Sequence, residues 1–271
     1  MSIHSFLSSN PILLLKPAQV SEPHNWVEHI PFAFFLTKML KPNNLVELGV
    51  HTGNSFNAFC QVTKRENIAC KCYGVDLWQG DAHAGFYKDA IYNTLRDQVH
   101  KDYPGIATLV RKDFNVAVDD FADNTIDILH IDGLHSYEAV KNDFDVWLSK
   151  ISAQGVVLFH DTQVRERGFG VYQFWEEISS KYPNYEFKFG NGLGVLAVGK
   201  NVNPAFLGFL KEANQNTSIA EAFQFTGSKI FNEAEVLRLQ RVVEKYEKKR
   251  QKYYYLTHPF LFVSRLFRGK L

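Results

Sequence analysis

The chain has 271 residues, 45% of them apolar and 22% charged, with 30 Lys+Arg against 29 Asp+Glu and a net charge of only +1. That supplies a full hydrophobic core, which excludes wholesale disorder and any need for disulfides or a structural metal to fold. Near-neutrality argues against nucleic-acid binding by the chain as a whole. The three cysteines, Cys60, Cys70 and Cys72, are sparse and odd in number, which fits a reducing cytoplasm rather than a secreted disulfide framework. No apolar run approaches the roughly 20 residues needed to cross a bilayer, and the short run Ile12 to Leu15 lacks the basic n-region of a signal peptide. Charge is uneven along the chain: from Lys229 onward there are 11 Lys/Arg and 4 Asp/Glu, whereas the first 228 residues carry a net −6.

In chain order, the apolar spacing of residues 24–40 predicts a helix that stops before Lys41-Pro42. Strands follow near 44–50, 72–77, 106–111, 126–131 and 155–160, with a final pair near 185–189 and 193–198. Helices are expected near 54–66, 86–101, 136–149 and 171–181. Val/Ile/Leu-rich strands separated by helix-length segments indicate an α/β fold with a mostly parallel seven-stranded sheet covered on both faces. Only Gly190-Asn191-Gly192 joins the last two strands, so the sheet is expected to end in an antiparallel pair. The expected organisation is an N-terminal helical cap over 1–42, a domain over 43–200, and a helical, basic tail over 201–271. A doubly wound sheet binds ligands at the carboxyl ends of its strands.

The first strand ends in Glu47-Leu48-Gly49-Val50-His51-Thr52-Gly53 and runs straight into a helix. Gly49 and Gly53 allow a sharp turn and close approach to a ligand. The spacing is not the dinucleotide G-x-G-x-x-G pattern, which disfavours a NAD-dependent enzyme. Asp76, with Trp78 after it, ends the second strand where a ribose diol would lie, and Asp113 follows the third strand. Simple turn and cap roles for these residues remain open. Together the three strand ends resemble the class I S-adenosylmethionine-dependent methyltransferases, with His51 in place of the middle glycine of that superfamily's pattern. The resemblance covers roughly residues 24–200 and implies a Rossmann-like methyltransferase fold with S-adenosylmethionine as cofactor. It further implies that Glu47, Gly49 and Gly53 wrap the methionine part, Asp76 holds the ribose and Asp113 sits by the adenine, with Trp78 counted among the cofactor contacts.

The fourth strand delivers Asp132-Gly133-Leu134-His135-Ser136-Tyr137, and the fifth ends in His160-Asp161-Thr162. If these strands are neighbours, about 4.8 Å apart, Asp132 and Asp161 meet at one rim, where two carboxylates need a cation or proton between them. A hard divalent ion such as Mg²⁺ prefers oxygen ligands. This D-G-x-H-x-Y segment followed by H-D-T resembles the metal-dependent O-methyltransferases related to macrocin O-methyltransferase, and methyltransferase modules found beside glycosyltransferases in bacterial polysaccharide gene clusters. It implies metal ligation by Asp132 and Asp161, with His160 as a further ligand, and His135 as general base. The alternatives are a capping role for His135 and a satisfied strand-end role for His160. His130, Val140, Phe144 and Trp147 are expected in the core.

The glycine-rich segment Trp78 to Phe86 is a candidate lid, and Arg165 to Gly170 a candidate anion-binding loop; ordinary loops are the alternative for both. Trp26 and His29 either cap an acceptor pocket or pack against the domain. Val236, Leu239, Val243 and Tyr246 recur at spacings of 3, 4 and 3, which suits a coiled-coil seam, hence a homo-oligomer, or a docked helix. Beyond them, aromatics interleave with Arg265, Arg268 and Lys270, suiting an anionic membrane surface or an acidic protein partner. The expected activity is S-adenosylmethionine-dependent O-methylation of a sugar hydroxyl in a cell-surface glycan or its precursor, in the cytoplasm or at the inner membrane face. The rival readings are methylation of a catechol- or macrolide-type natural product and an inactive cofactor-binding scaffold in polysaccharide assembly.

Overall fold

In the computed structural model, which describes residues 2–81, 85–86 and 89–257, seven strands pair into one sheet. They are β1 (Asn44–Leu48), β2 (Lys71–Val75), β3 (Ala107–Val110), β4 (Ile126–Ile131), β5 (Ile151–His160), β6 (Asn184–Phe187) and β7 (Leu193–Ala197). The order is β3-β2-β1-β4-β5-β7-β6, parallel except for β7, which runs antiparallel to both its neighbours. The α/β Rossmann-like methyltransferase fold expected from the sequence is therefore present, with its antiparallel terminal pair. Every position of β4 is buried, as a parallel strand covered on both faces requires.

The main helices are α1 (Ile3–Ser9), α2 (Ile30–Leu40), α3 (Asn54–Arg65), α4 (Ala90–Asp102), α5 (Tyr137–Trp147), α6 (Val171–Ser179), α7 (Pro204–Gln215) and α8 (Thr217–Thr257). Residues 24–40 form a helix only from Ile30, after a 3₁₀ turn over Val27–His29, and α2 ends where Lys41 turns left-handed ahead of Pro42. On one face of the sheet, Val140, Phe144 and Trp147 of α5 and Phe174, Trp175 and Ile178 of α6 pack over Leu129, Val157 and Phe159. Elsewhere an aromatic cluster joins Phe6, Phe32, Phe35, Phe187, Phe209 and Phe223, with Phe32–Phe187 and Phe35–Phe209 centroids both 4.7 Å apart. This cluster makes one compact unit of residues 1–230, which extends past the boundary expected at 200. Residues 231–271 form a second unit, helical through Thr257. No helix among the described residues is long and apolar enough to cross a membrane.

Parallel order reverses direction between β1 and β4, and the chain leaves both strands at the same level. The Asp132 N–H donates to Leu48 O at 2.8 Å, and the Gly49 N–H donates to Val75 O at 2.9 Å. Gly49 has φ +88, and a Cβ there would stand 2.0 Å from the Asp132 carbonyl oxygen. Gly49→Ala should therefore lower unfolding free energy by about 1–3 kcal/mol, the cost of a strained left-handed residue, with the clash adding to it. Urea denaturation reads this directly; unchanged stability would mean that the two strand ends can move apart freely.

Candidate functional site

The loop after β1 is held by a carboxylate. Asp76, at the end of β2, accepts the Val50 and His51 N–H groups on Oδ2, both at 2.9 Å, and the Trp78 N–H on Oδ1 at 2.6 Å. His51 stands at φ +50, so the residue in the middle-glycine position takes the left-handed backbone that glycine adopts without cost. Trp78 is also left-handed, at φ +51, and is fully buried, its indole N–H donating to His51 O at 2.9 Å.

At the ends of β4 and β5, Asp132, His135 and Asp161 converge, one ligand atom from each lying within 4.8 Å of the others. His135 Nε2 is 2.9 Å from Asp161 Oδ2 and 3.5 Å from Asp132 Oδ1. Ser136 caps α5 by accepting the Ala139 N–H, which starts the helix directly after the Asp132–His135 turn. The ring of Phe169, from the loop after β5, stacks on His135 at 4.5 Å and 15°, and the Arg167 guanidinium lies over Phe169. Behind the cluster, His160 Nδ1 is 3.3 Å from Asp132 Oδ1 and 3.5 Å from Asp161 Oδ1, while its Nε2 contacts Gly190 O.

Burial alone would lower the His135 pKa, but hydrogen bonds to Asp132 and Asp161 push it up to about 9. His160 is raised for the same reason, its burial outweighed by the charges of Asp161 and Asp132. Burial disfavours the two carboxylates' charged forms, yet the His160 charge and the histidine hydrogen bonds hold both below the usual range. Two carboxylates thus keep protons on two imidazoles. His29 behaves oppositely: burial and the His160 charge lower it to about 3, so it stays neutral against Gly190 O.

Two cavities meet at Asp132 and His135. One, about 600 Å³, is lined by Gly49, His51, Asp76, Leu77, Asp113, Leu134 and other residues of the first four strand ends. The other, about 280 Å³, is lined by Trp26, Asn25, Asn54, Arg167, Phe169 and Asn191 among others. Gly49, His51, Asp132 and His135 face both.

Residues 46–162 match the family described as "Methyltransferase domain". An uncharacterized protein of Sinorhizobium fredii is 45% identical over 182 residues, which are 67% of this chain and 20% of that protein. An uncharacterized protein of Acanthamoeba polyphaga mimivirus is 30% identical over 121 residues, 44% of this chain and 51% of its own length. The chain therefore spans about a fifth and about half of these curated relatives. Among solved structures, a proposed caffeoyl-CoA O-methyltransferase from Staphylococcus aureus superposes with TM-score 0.50 at 13% identity, covering 71% of this chain and 88% of that one. The cofactor-bound Rv0187 protein from MTB gives TM-score 0.50 at 11% identity, covering 73% and 90%. Both likenesses concern the fold.

Of the residues expected at the site, Gly49, Asp76 and Asp113 line the larger cavity, and Asp132, His135, Asp161 and His160 line the smaller one. Three expected cofactor contacts fall elsewhere. Glu47 is wholly buried under the loop, accepting the Ser55 hydroxyl and lying 3.7 Å from His130. Gly53 serves the turn into α3, where a Cβ would stand 2.6 Å from Leu95. Trp78 braces the loop from inside, and its neighbour Leu77 faces the cavity instead. Trp26 reaches the smaller cavity while its indole N–H donates to the buried His130 at 3.1 Å. Of the expected lid, residues 82–84 lie outside the described residues, while Gly80–Asp81 pairs with Gly85–Phe86.

Asp143 escaped the sequence reading. It lies on α5 among apolar core positions, buried at 6% exposure, and lines the larger cavity. Burial, with the Asp113 charge adding, raises its pKa from 3.8 to about 7. The folded state therefore holds a proton that the unfolded chain has already lost, and stability falls as pH climbs from about 4 to about 7. Asp143→Asn removes that term. Its stability relative to the parent should rise with pH, reaching a gain on the order of 2–4 kcal/mol near pH 8 over that near pH 4. Urea melts at both pH values test this, and a difference that stays constant with pH would contradict it.

Proposed function

We propose that this chain is an S-adenosylmethionine-dependent O-methyltransferase that uses a divalent cation and acts on a sugar hydroxyl of a glycan or glycan precursor. The observation that carries the reading is the convergence of Asp132, His135 and Asp161, with Asp132 and His135 on the wall between the two cavities and Asp161 facing the smaller one. The larger cavity, with Asp76 and Asp113 at successive strand ends, suits the nucleoside of the cofactor. The smaller suits an acceptor: Asn25, Thr52, Asn54 and Asn191 offer hydrogen bonds, and Trp26 and Phe169 offer aromatic faces. That mixture favours a polyol over the flat apolar slot a catechol would want.

The donor set fits a divalent cation. Two carboxylates converge with the His160 imidazole beside both, and Asp161 Oδ1 is buried without a hydrogen bond. Asp132, Asp161 and His160 would hold the ion, which leaves His135 free to act on the acceptor. Bound there, it would supply positive charge that engages neighbouring acceptor hydroxyls and lowers their pKa. S-adenosylmethionine supplies the electrophilic methyl group. The protein's share is orientation and proton movement. Asp76 fixes the loop that turns Gly49 toward both cavities, and His135, braced by Phe169, takes the acceptor's proton once the charge of Asp132 and Asp161 is otherwise compensated. Without that compensation the two carboxylates keep His135 protonated, which explains why base and metal ligands are neighbours.

His135→Ala should bind S-adenosylhomocysteine normally but turn over roughly 10²–10⁴ times more slowly, the usual loss of a general base. Asp132→Asn and Asp161→Asn should lose metal binding and activity together. Activity is read by mass spectrometry of glycan acceptors; full turnover after exhaustive chelation would remove the metal, and near-parental turnover of His135→Ala would remove the base. Asp76→Ala should weaken S-adenosylhomocysteine binding by about 2 kcal/mol or more, from lost charge-assisted hydrogen bonds. Calorimetry showing undiminished affinity would take Asp76 out of the cofactor site.

A further inference from the structure

The second compact unit presents an apolar surface that the methyltransferase chemistry does not use. Between residues 231 and 254, Val236, Leu239, Val242, Val243 and Tyr246 are 52–71% exposed. At about 100° per residue they occupy an arc of about 120° on the helix, and Tyr253 and Tyr254 continue the same arc. Leu237 is the exposed apolar residue outside it. Away from the arc lie Arg238, Arg241, Lys245, Lys248 and Lys252, with Lys249 at its edge, while Glu235 and Arg250 fall within it. Over residues 231–271 the sequence has 10 Lys/Arg against 4 Asp/Glu, and Arg265, Arg268 and Lys270 extend the positive charge toward the C-terminus.

Two occupants can cover such a stripe, and the residue types separate them. A two-helix coiled coil wants aliphatic residues at alternating three- and four-residue steps. The seam that begins Val236, Leu239, Val243 continues as Tyr246, Arg250 and Tyr253, which puts a guanidinium and two phenols at core positions. Its flanking positions Glu235, Val242 and Lys249 would face Gln240, Glu247 and Tyr254 of a parallel copy, and no opposite charges meet. A lipid interface accepts the same residues. Tyrosines settle at headgroup level with the hydroxyl in water, long basic side chains snorkel to phosphate, and net positive charge is complementary to anionic lipid. We propose that this helix lies in the plane of an anionic bilayer surface, apolar arc inward, and holds the enzyme at the membrane.

The test is co-sedimentation of the full chain with vesicles of equimolar phosphatidylcholine and phosphatidylglycerol. Binding is expected there, at least about tenfold weaker to pure phosphatidylcholine vesicles or in high salt, where surface electrostatics are screened. The double variant Leu239→Asp/Val243→Asp should lose most of the binding, and Lys248→Glu/Lys249→Glu should weaken it. These residues are exposed, so both variants should keep the parent's thermal transition. No vesicle binding by the parent, or equal binding by Leu239→Asp/Val243→Asp, overturns the proposal. So does a concentration-dependent dimer in ultracentrifugation that this variant abolishes while the parent ignores vesicles, because the arc then belongs to a second copy.

Discussion

The close approach of the Gly49 backbone to the Asp132 carbonyl joins the carboxyl ends of β1 and β4, the neighbouring strands from which the sheet extends in opposite directions. Everything functional hangs from that seam. The loop after β1 turns because residue 49 has no side chain, and the turn is then locked by Asp76 from the next strand. The loop after β4 turns at Gly133, where a Cβ would meet the Phe114 ring at 2.5 Å, and carries Asp132 and His135 into the gap. Neither loop could hold its position if the strand ends were a methyl group farther apart. The cavities on either side are the spaces that the two turns leave.

Electrostatics at the seam are compensated in layers. Asp132 and Asp161 are charged against the cost of burial because His135 and His160 stand beside them. Farther in, Glu47 and His130 form a second acid–imidazole pair, wholly buried, with Trp26 and Ser55 as their outer hydrogen-bond donors. The outer group of two carboxylates and two imidazoles faces the smaller cavity. The inner pair has no route to solvent and serves to fix Trp26 and the start of α3. Two acid–imidazole groups thus differ in setting, separated by two residues along β4 and by burial.

Much of this was legible in the sequence, for identifiable reasons. Buried parallel strands need unbroken apolar runs, so β4 was read without error and the others to within a few residues at each end. That Asp132, His135 and Asp161 come together was legible because strand ends in a doubly wound sheet point at one rim. Glu47 and Trp78 were misplaced because sequence gives the strand end but not the side to which a residue turns. Trp78 enters the interior through a left-handed backbone that nothing in a tryptophan announces. Asp143 was hidden by its company: at helical spacing from Val140, Phe144 and Trp147 it reads as an ordinary polar residue on an amphipathic helix. The residues after 200 were read as tail because their aromatic partners Phe6, Phe32 and Phe187 lie far away in sequence.

The loop after β5 has two duties on adjacent turns. Phe169 presses one face against His135, and Arg167, lying over Phe169's ring, faces the smaller cavity. A segment that selects the acceptor is normally the part of an enzyme freest to diverge, since the scaffold beneath tolerates exchange. Here the residue that lines the proposed acceptor cavity and the residue that steadies the imidazole are two positions apart on one short piece of backbone. Under the proposed function, grafting this loop from a relative would therefore change selectivity and reactivity together. Successful exchanges would have to retain an aromatic ring at position 169, leaving position 167 as the variable one.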